Sequence, residues 1–324
     1  MGDIHIHDLD YYPTKTTTCI QYDLDDLFER GFHTKNGSIR TPQSIQSYAT
    51  LATIIFQTNQ NEQHGGQAIP AFDFFMAKGV LKSFQKIMAT HLGLLLDIKG
   101  HTTDEKEILK GIRAHFHSIA PNEETEKAYL DSLQAEGIDL TADELKYVLR
   151  KTLAQTRKDT HQAMEGFIHN LNTMHSRAGA QTPFSSVNYG MDTSPEGRMV
   201  IKNMLLATEE GLGSGETPIF PVQIFRVKEG VNYNPEDPNY DLFKLAMHCS
   251  AKRLFPNFSF LDAPFNAQYY KGTPETEIAY MGCRTRVMGN VNGPEITPGR
   301  GNNSFTSINL PRIGIKHGKV MLGE

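Results

Sequence analysis

Apolar residues recur at helical spacing through the first half of the chain. Residues 42–57 and 72–88 place apolar side chains three or four positions apart, which predicts two amphipathic helices. Capping boxes at 102–105 and 141–144, together with the cap residue Asn122, predict three more helices after them. The last of these is predicted to be a rod of about 35 residues at a surface or an interface.

The second half of the chain has the pattern of strands alternating with helices. Short apolar runs at 183–189, 218–227 and 257–261 predict strands, and helical segments separate them. This order predicts an α/β fold with a mainly parallel sheet, whose ligands lie at the carboxyl ends of the strands. Between residues 280 and 309 the periodicity gives way to polar loops rich in Gly and Asn, and long loops of this kind are usually functional.

Composition narrows the possible function classes. The 324 residues carry a formal net charge of −5, which argues against electrostatic binding of nucleic acid or of anionic membranes. The longest apolar runs, such as residues 52–56, are far shorter than the roughly 18 residues that span a bilayer. Three cysteines and no signal-like N-terminus predict a protein of the reducing cytoplasm.

Both ends of the sequence predict a piece of a longer polypeptide. A strand-like pattern begins at Asp3 without a preceding segment, and the chain stops at Glu324 without a terminal helix or polar tail. Part of the machinery is therefore expected outside this stretch.

The first candidate for chemistry is the pair His5 and His7, which share one face of a predicted strand and would suit one metal ion. A metal-dependent hydrolase would need further ligands, and the later predicted strands offer no His or carboxylate. Hydrogen bonding within a barrel is the favoured interpretation, and no metal site is assigned. Phosphate-binding loops, nucleophile elbows and Cys-x-x-Cys pairs do not occur.

The cysteines are the second candidates. Cys283 stands on a glycine-flanked loop beside Arg284 and Arg286, where substrate can approach and a thiolate is favoured. Cys19 follows three threonines on a predicted strand, and Cys249 lies in an apolar helix, which assigns it to packing.

A third candidate is the His-Gly-Gly sequence that begins at His64. The two glycines permit close backbone approach, and the imidazole is able to bind a small anion or a hydroxyl. A simple loop turn is the alternative.

Six motifs in this order resemble those of the anaerobic (class III) ribonucleoside-triphosphate reductases, over nearly the whole chain. They are residues 2–10 (GDIHIHDLD), 16–19 (TTTC), 61–66 (NEQHGG), 255–258 (FPNF), 281–285 (MGCRT) and 299–302 (GRGN).

The resemblance implies part of a ten-stranded α/β barrel of the glycyl radical enzyme type, with a central finger loop within residues 280–309. It implies anaerobic reduction of ribonucleoside triphosphates to deoxyribonucleoside triphosphates for DNA replication, with formate as reductant. Cys283 would become the thiyl radical that takes the 3′ hydrogen of the ribose. Cys19 would supply hydrogen and a proton from the other side of the ribose, and Asn302, with Asn303 as the alternative, would orient its hydroxyls.

The resemblance also implies residues that bind the substrates. Ser185 and Ser186 are expected to contact the nucleotide, with ordinary strand polarity as the alternative. His64 and Gln67 are expected to lie near formate.

A homodimer with regulatory nucleotide sites is a further implication. The helical region 41–177 would form the dimer interface and bind ATP and deoxynucleoside triphosphate effectors. Lys82 and Lys86, four apart on one helix face, would meet a triphosphate, although a solvated basic stripe is the commoner explanation.

Two departures from the family pattern limit these implications. The family has an N-terminal ATP-cone and a C-terminal region with a glycyl radical loop and a zinc site of paired Cys-x-x-Cys, and residues 1–324 contain neither. We therefore expect an incomplete catalytic domain, which is inactive until it receives a glycyl radical made with a radical S-adenosylmethionine activating enzyme.

Two alternatives stay open at this point. Another glycyl radical enzyme, of the formate-lyase or diol-dehydratase type, would use adjacent cysteines or a Cys with a carboxylate base, whereas here Cys283 is followed by Arg284 and Thr285. A nucleotide-binding module that keeps the fold without catalysis is the other alternative.

Overall fold

The computed structural model describes residues 2–7, 9–14, 18–34, 37–63, 65–102, 104–175, 181–282, 285–289 and 292–321. The helices are α1 (Leu24–Arg30), α2 (Ile45–Gln60), α3 (Phe72–Ile98), α4 (Glu105–His115), α5 (Glu123–Ala135), α6 (Ala142–Thr173), α7 (Pro195–Glu210), α8 (Tyr240–Arg253), α9 (Pro264–Ala267) and α10 (Leu310–Met321). None of the helices within these ranges has both the length and the apolar character that crossing a membrane requires.

The strands are short. They are β1 (Ile4–Ile6), β2 (Cys19–Gln21), β3 (Phe32–Thr34), β4 (Gly37–Ile39), β5 (Gln67–Ile69), β6 (Ser185–Tyr189), β7 (Val222–Val227), β8 (Asn257–Phe260), β9 (Ala279–Tyr280), β10 (Arg286–Val287), β11 (Gly301–Asn302) and β12 (Thr306–Ile308).

One six-stranded sheet, in the order β11-β2-β5-β6-β7-β8, organises the chain. The strands from β2 to β8 in this order are parallel, and β11 pairs antiparallel with β2 at the edge. The predicted α/β class with a mainly parallel sheet is confirmed. Within the described ranges, three antiparallel pairs, β1 with β12, β3 with β4 and β9 with β10, lie outside this sheet.

Helices α2, α3, α6 and α7 pack on one another and form the main hydrophobic core against the sheet. Side chains such as Phe56, Leu92 and Phe167 are wholly buried there, together with Val187 and Phe225 from the strands. Helix α6 has the predicted rod shape with 32 residues, but its apolar stripe packs into this core. Its length is therefore stabilised by contacts along one face.

The structure corrects three sequence predictions of local structure. Helix α4 begins after the cap residue Asp104 rather than after Thr102, and residues 310–321 form helix α10 where no terminal helix was expected. Strand β5 had no sequence prediction, because three residues after a Gly-Gly pair are too few to show strand periodicity. Helix α2 begins at Ile45 rather than at residue 42, because Ser44 and Ser47 form a capping box there.

A buried ion pair joins α3 to the end of β7. The Asp73 carboxylate lies 3.7 Å from the Arg226 guanidinium, and both side chains are at most 1% exposed. The other Asp73 oxygen accepts hydrogen bonds from the backbone N–H groups of Gly190, Met191 and Asp192 at 2.8–3.0 Å. Asp73 therefore fixes the turn that follows β6 and compensates a buried cation.

Replacing Asp73 by Ala would leave the Arg226 charge buried without its counter-ion. We expect Asp73→Ala to lower the free energy of unfolding by about 3–5 kcal/mol, measured by urea denaturation. The matched control is Asp25→Ala, which removes an exposed pair with Lys78 at 2.8 Å and should cost about 0–1 kcal/mol. Equal losses in the two variants would contradict this account.

Asp192, in the same turn, is buried beside Asp73 and Glu196. Burial, with a smaller contribution from Asp73, raises the pKa of Asp192 to about 6. Since this pKa lies above that of the unfolded chain, the folded protein holds the proton more tightly. The resulting stability is fully present below about pH 4 and is lost as the pH rises through 6.

We therefore expect Asp192→Asn to stabilise the protein by about 2–3 kcal/mol at pH 7.5, with the gain vanishing near pH 4. The measurement is urea unfolding of wild type and variant across that pH range. Asp131→Asn, on an exposed position of α5, is the control and should leave the pH profile unchanged. A gain independent of pH would refute the assignment.

Candidate functional site

The parallel sheet has two chemically different faces, because successive side chains of a strand point to opposite sides. One face carries Ile69, Val187 and Phe225 into the helical core. The other face, called here the open face, carries Cys19, Gln21, Ala68, Ser186, Asn188, Ile224 and Arg226, as the strand register requires.

Cys19 and Asn302 are direct cross-strand partners on the open face, since β11 and β2 pair them. Residues paired in this way have Cβ atoms about 4.5–5.5 Å apart. The pairing is secured by hydrogen bonds from the Thr18 N–H to the Asn302 carbonyl at 2.6 Å and from the Thr18 hydroxyl to the Asn303 carbonyl at 2.8 Å. Two of the predicted catalytic residues are thus brought together, although they lie far apart in sequence.

The Gly65-Gly66 pair approaches the backbone before Cys19 closely. A Cβ atom on Gly65 would lie 1.4 Å from the Thr18 carbonyl oxygen and 3.0 Å from the Cys19 sulfur. Only glycine fits this position, so the close approach predicted from the His-Gly-Gly sequence is confirmed. His64 itself lies outside the described residues.

A hairpin formed by β9 and β10 packs on the open face beside Cys19. Its residues Met281 and Val287 form a small apolar cluster with Cys19 and Ala68. The predicted residue Cys283, with Arg284, lies outside the described residues. The described positions on either side of them, Gly282 and Thr285, belong to this hairpin.

Phe184 connects the glycine pair to the hairpin. A Cβ on Gly66 would lie 3.2 Å from the Phe184 ring, and a Cβ on Gly282 would lie 2.7 Å from it. The ring is held edge-on by Phe220, with centroids 5.2 Å apart. Position 282 therefore has to be a glycine, because any side chain there would overlap the Phe184 ring.

A cavity of about 510 Å³ opens between the hairpin and strands β7 and β8. Its lining combines aromatic and aliphatic side chains with amides, including Ile224, Asn257, Phe258, Phe265, Asn266 and Tyr280. A mostly apolar cavity with a few placed polar groups is the usual setting for a small organic ligand.

The described polar groups near the site differ in how well they are satisfied. Gln21, on the open face, is fully buried, and neither carboxamide atom has a hydrogen-bond partner within the described residues.

Arg286 donates to the Phe265 carbonyl at 3.1 Å and lies over the Phe265 ring. Burial raises the pKa of Cys249 to about 12, which agrees with its assignment to packing.

The predicted substrate residues fall on both faces. Ser186 lies on the open face and donates to the Gln67 carbonyl at 3.4 Å. Ser185 and Gln67 lie on the helix side, where the Gln67 carboxamide accepts from the Tyr22 hydroxyl and donates to the Phe56 carbonyl at 3.0 Å. The structure therefore brings Ser186, but not Ser185 or Gln67, to the face of Cys19.

The two predicted effector lysines lie on α3, away from the open face. Lys82 is half-buried and donates to the Tyr48 hydroxyl at 2.9 Å and to the Pro42 carbonyl at 3.1 Å. Burial, followed by the charges of Arg113 and Lys78, lowers the pKa of Lys82. Lys86 is exposed.

The histidines at the start of the chain pair with aromatic neighbours. His7 stacks on Phe305 with ring centroids 4.2 Å apart, and the His5 and His7 centroids are 6.2 Å apart. Across the described ranges, His, Cys, Asp and Glu side chains form no group of three or more that suits a metal ion.

Sequence reasoning missed two residues of the site. Asn188 binds the backbone of the hairpin, and Phe184 covers Gly66 and Gly282. An Asn between apolar residues of a predicted strand was a usable signal, because buried amides need partners. The position of Phe184 depends on tertiary packing and had no local signal.

Comparisons with known proteins agree with the motifs. The family model described as anaerobic ribonucleoside-triphosphate reductase matches residues 1–322. The chain is 31% identical to the phage T4 anaerobic ribonucleoside-triphosphate reductase and 30% identical to that of Escherichia coli K12, over 97% of its length in each case. It spans 44% and 37% of those two relatives.

Solved structures show the same fold. The chain matches the anaerobic ribonucleotide reductase of Thermotoga maritima with citrate in the active site at a TM-score of 0.51 and 15% identity, over 98% of this chain and 46% of that one. A second structure of that enzyme, in complex with dATP and CTP, also matches at a TM-score of 0.51. The family resemblance is confirmed.

The contact of Gly282 with Phe184 can be tested by a double-mutant cycle. We expect Gly282→Ala to cost about 1–3 kcal/mol of stability, because the added methyl overlaps the ring. Combined with Phe184→Ala, the losses should be less than additive by at least ~0.5 kcal/mol. The measurement is urea unfolding of all four proteins.

Gly213→Ala is the control, because no neighbouring atom lies within 4 Å of a Cβ at that position. It should change stability by no more than about 0.5 kcal/mol. Strict additivity of Gly282→Ala and Phe184→Ala would mean that the two residues do not touch.

Proposed function

Since this chain belongs to the anaerobic ribonucleoside-triphosphate reductase family, we propose that it forms the first half of a catalytic barrel that reduces ribonucleoside triphosphates to deoxyribonucleoside triphosphates. The observation that carries the proposal is the pairing of Cys19 with Asn302 beneath the hairpin that includes Gly282 and Thr285. The chain spans less than half the length of these two curated relatives.

The barrel itself is part of this proposal. The parallel strands β2 to β8 would make one half, and the β9–β10 hairpin would be the finger loop through the centre. Strand β8 has no strand partner on its outer side within the described residues. That edge is where a second half would join, because an edge strand offers unpaired backbone groups.

The proposed chemistry divides between two thiols and an amide. Cys283, as a thiyl radical, would take the hydrogen atom from C3′ of the ribose and become a thiol. Cys19 would then protonate the 2′ hydroxyl, which leaves as water, while Asn302 holds the ribose hydroxyls. Formate would supply the hydrogen and the two electrons that replace the lost hydroxyl at C2′, and it would leave as carbon dioxide. A proton from solvent would restore the Cys19 thiol, and the Cys283 thiol would return its hydrogen atom to C3′ and become the thiyl radical again.

A glycyl radical would provide the unpaired electron for Cys283, and a radical S-adenosylmethionine activating enzyme would generate it. The open face suits a polar sugar beside these thiols. The Gln21 carboxamide is buried there without a hydrogen-bond partner among the described residues, and a ribose hydroxyl would satisfy it.

Ser186 and His64 are the proposed contacts to nucleotide and formate. Ser186 is on the open face, and His64 adjoins Gly65, which lies against the Cys19 strand. Ser185 and Gln67 would support the same strands from the helix side.

The helical region 41–177 is proposed to form a homodimer and an effector site. Lys82 and Lys86 on α3 would meet the triphosphate of ATP or a deoxynucleotide. The Thermotoga maritima reductase has been solved with dATP in its specificity site. The half-buried Lys82 would have to exchange its bond to Tyr48 for one to the effector.

The test is an anaerobic assay of deoxynucleotide formation, with activating enzyme, S-adenosylmethionine and formate, on the longest polypeptide that contains this chain. We expect Cys283→Ser and Cys19→Ser each to lower turnover at least 1000-fold, because a hydroxyl cannot replace the thiol in hydrogen-atom transfer. The dissociation constant of the ribonucleotide, measured by calorimetry, should change less than threefold in both variants.

Cys249→Ser is the matched control, since Cys249 is buried in α8 away from the open face, and turnover should stay within threefold. Full activity of Cys283→Ser would refute the mechanism. Nucleotide binding without reduction by any protein containing this chain would favour the nucleotide-binding module instead.

A further inference from the structure

Asn188 of β6 ties the β9–β10 hairpin to the sheet through its side-chain amide. The Asn188 carboxamide oxygen accepts from the Tyr280 N–H at 2.8 Å, and its nitrogen donates to the Tyr280 carbonyl at 2.8 Å. The same nitrogen donates to the Ile69 carbonyl of β5 at 3.3 Å. Asn188 is wholly buried, so these bonds exchange little with water.

The register of the hairpin explains why Tyr280 is available for this contact. The Met281 N–H donates to the Thr285 carbonyl across the hairpin at 3.0 Å. In an antiparallel pair, hydrogen-bonded and non-hydrogen-bonded positions alternate, so the next pair, Tyr280 with Arg286, is of the second kind. The backbone groups of Tyr280 then face away from β10, and Asn188 binds both of them as a neighbouring strand would.

Two other polar contacts of the hairpin lead to α9. Arg286 donates to the Phe265 carbonyl at the start of α9, and the Tyr280 hydroxyl lies 3.4 Å from Asn266 of the same helix. These bonds join the hairpin to α9 rather than to β5 and β6. The contact with Asn188 is therefore a polar connection between the hairpin and strands β5 and β6.

We propose that Asn188 is the positioning residue that sets the hairpin over Cys19. It fixes the backbone of Tyr280, three positions before Cys283, relative to β5 and β6. The apolar contacts of Met281 and Val287 with Cys19 and Ala68 complete the placement. The Asn188 carboxamide binds backbone groups of Tyr280 and Ile69, so its role is one of positioning. The catalytic consequence rests on the proposed function, because misplacing a reacting group by about 1 Å costs on the order of 100-fold in rate.

The first measurement is amide hydrogen–deuterium exchange of the chain, which requires no activity. In Asn188→Ala, peptides covering 279–287 should exchange at least tenfold faster, because Tyr280 loses the acceptor of its N–H. Asn188→Leu keeps the branching and nearly the volume of the side chain, so it separates the lost hydrogen bonds from a cavity. Peptides covering β7 and α7 should stay within twofold in both variants.

Asn232→Ala is the matched control. Asn232 is an equally buried carboxamide that accepts from the Lys228 N–H at 2.9 Å and donates to the carbonyls of Gly190 and Arg226 at 2.9 Å. Its loss should speed exchange around 228–232 and leave 279–287 unchanged. Unchanged hairpin exchange in both Asn188 variants, or equal acceleration across the whole sheet, overturns the proposal.

The second measurement is the steady-state rate of deoxynucleotide formation, with the longest polypeptide that contains this chain and under the anaerobic conditions of the assay above. Both Asn188 variants should lower kcat at least tenfold while KM for the ribonucleotide stays within threefold. Unchanged kcat with a released hairpin would overturn the positioning role. If wild type itself shows no reduction, the proposed function fails, whereas the exchange experiment still decides whether Asn188 holds the hairpin.

Discussion

Two-faced strands are the constraint on which the rest of this structure depends. Each parallel strand must supply apolar side chains to the helical core on one side and small or polar ones to the open face on the other. Ile69, Val187 and Phe225 satisfy the first requirement, and Ala68 and Asn188 the second. The glycines at 65 and 66 follow from the same geometry, because the backbone before β5 runs against the strand that carries Cys19.

The open face is assembled from opposite ends of the sequence. Strand β11 returns antiparallel beside β2, and the β9–β10 hairpin covers the neighbouring part of the sheet. The buried charges of Asp73 and Arg226 lie at the carboxyl end of β7, where they form an ion pair. What remains near Cys19 is mostly apolar surface with amide groups, a setting in which hydrogen bonds are strong because water is excluded.

Local patterns predicted the elements well where periodicity was long. The alternation of strands and helices after residue 179 was confirmed, and so was the rod of α6, because its capping box and apolar stripe extend over many turns. Strand β5 was missed, since three residues contain too little periodicity. The start of α2 shifted because the Ser44–Ser47 box was not recognised.

The site was predictable only in part, for a physical reason. Motifs identified Cys19 and Asn302, and the strand register places them side by side. Which face a strand residue occupies follows from tertiary packing, so the position of Gln67 and Ser185 on the helix side had no local signal. The partner of Asn188 was equally hidden, because its contact is with a backbone 92 positions away in sequence.

The contact between Asn188 and the Tyr280 backbone affects which substitutions position 280 can accept. Asn188 holds the N–H and carbonyl of Tyr280, which every amino acid except proline possesses. Mutation at 280 can therefore alter the wall of the adjacent cavity, and with it the ligands that fit, while the fastening stays intact. Position 280 can therefore change its side chain and alter ligand specificity, whereas position 188 has to keep its carboxamide.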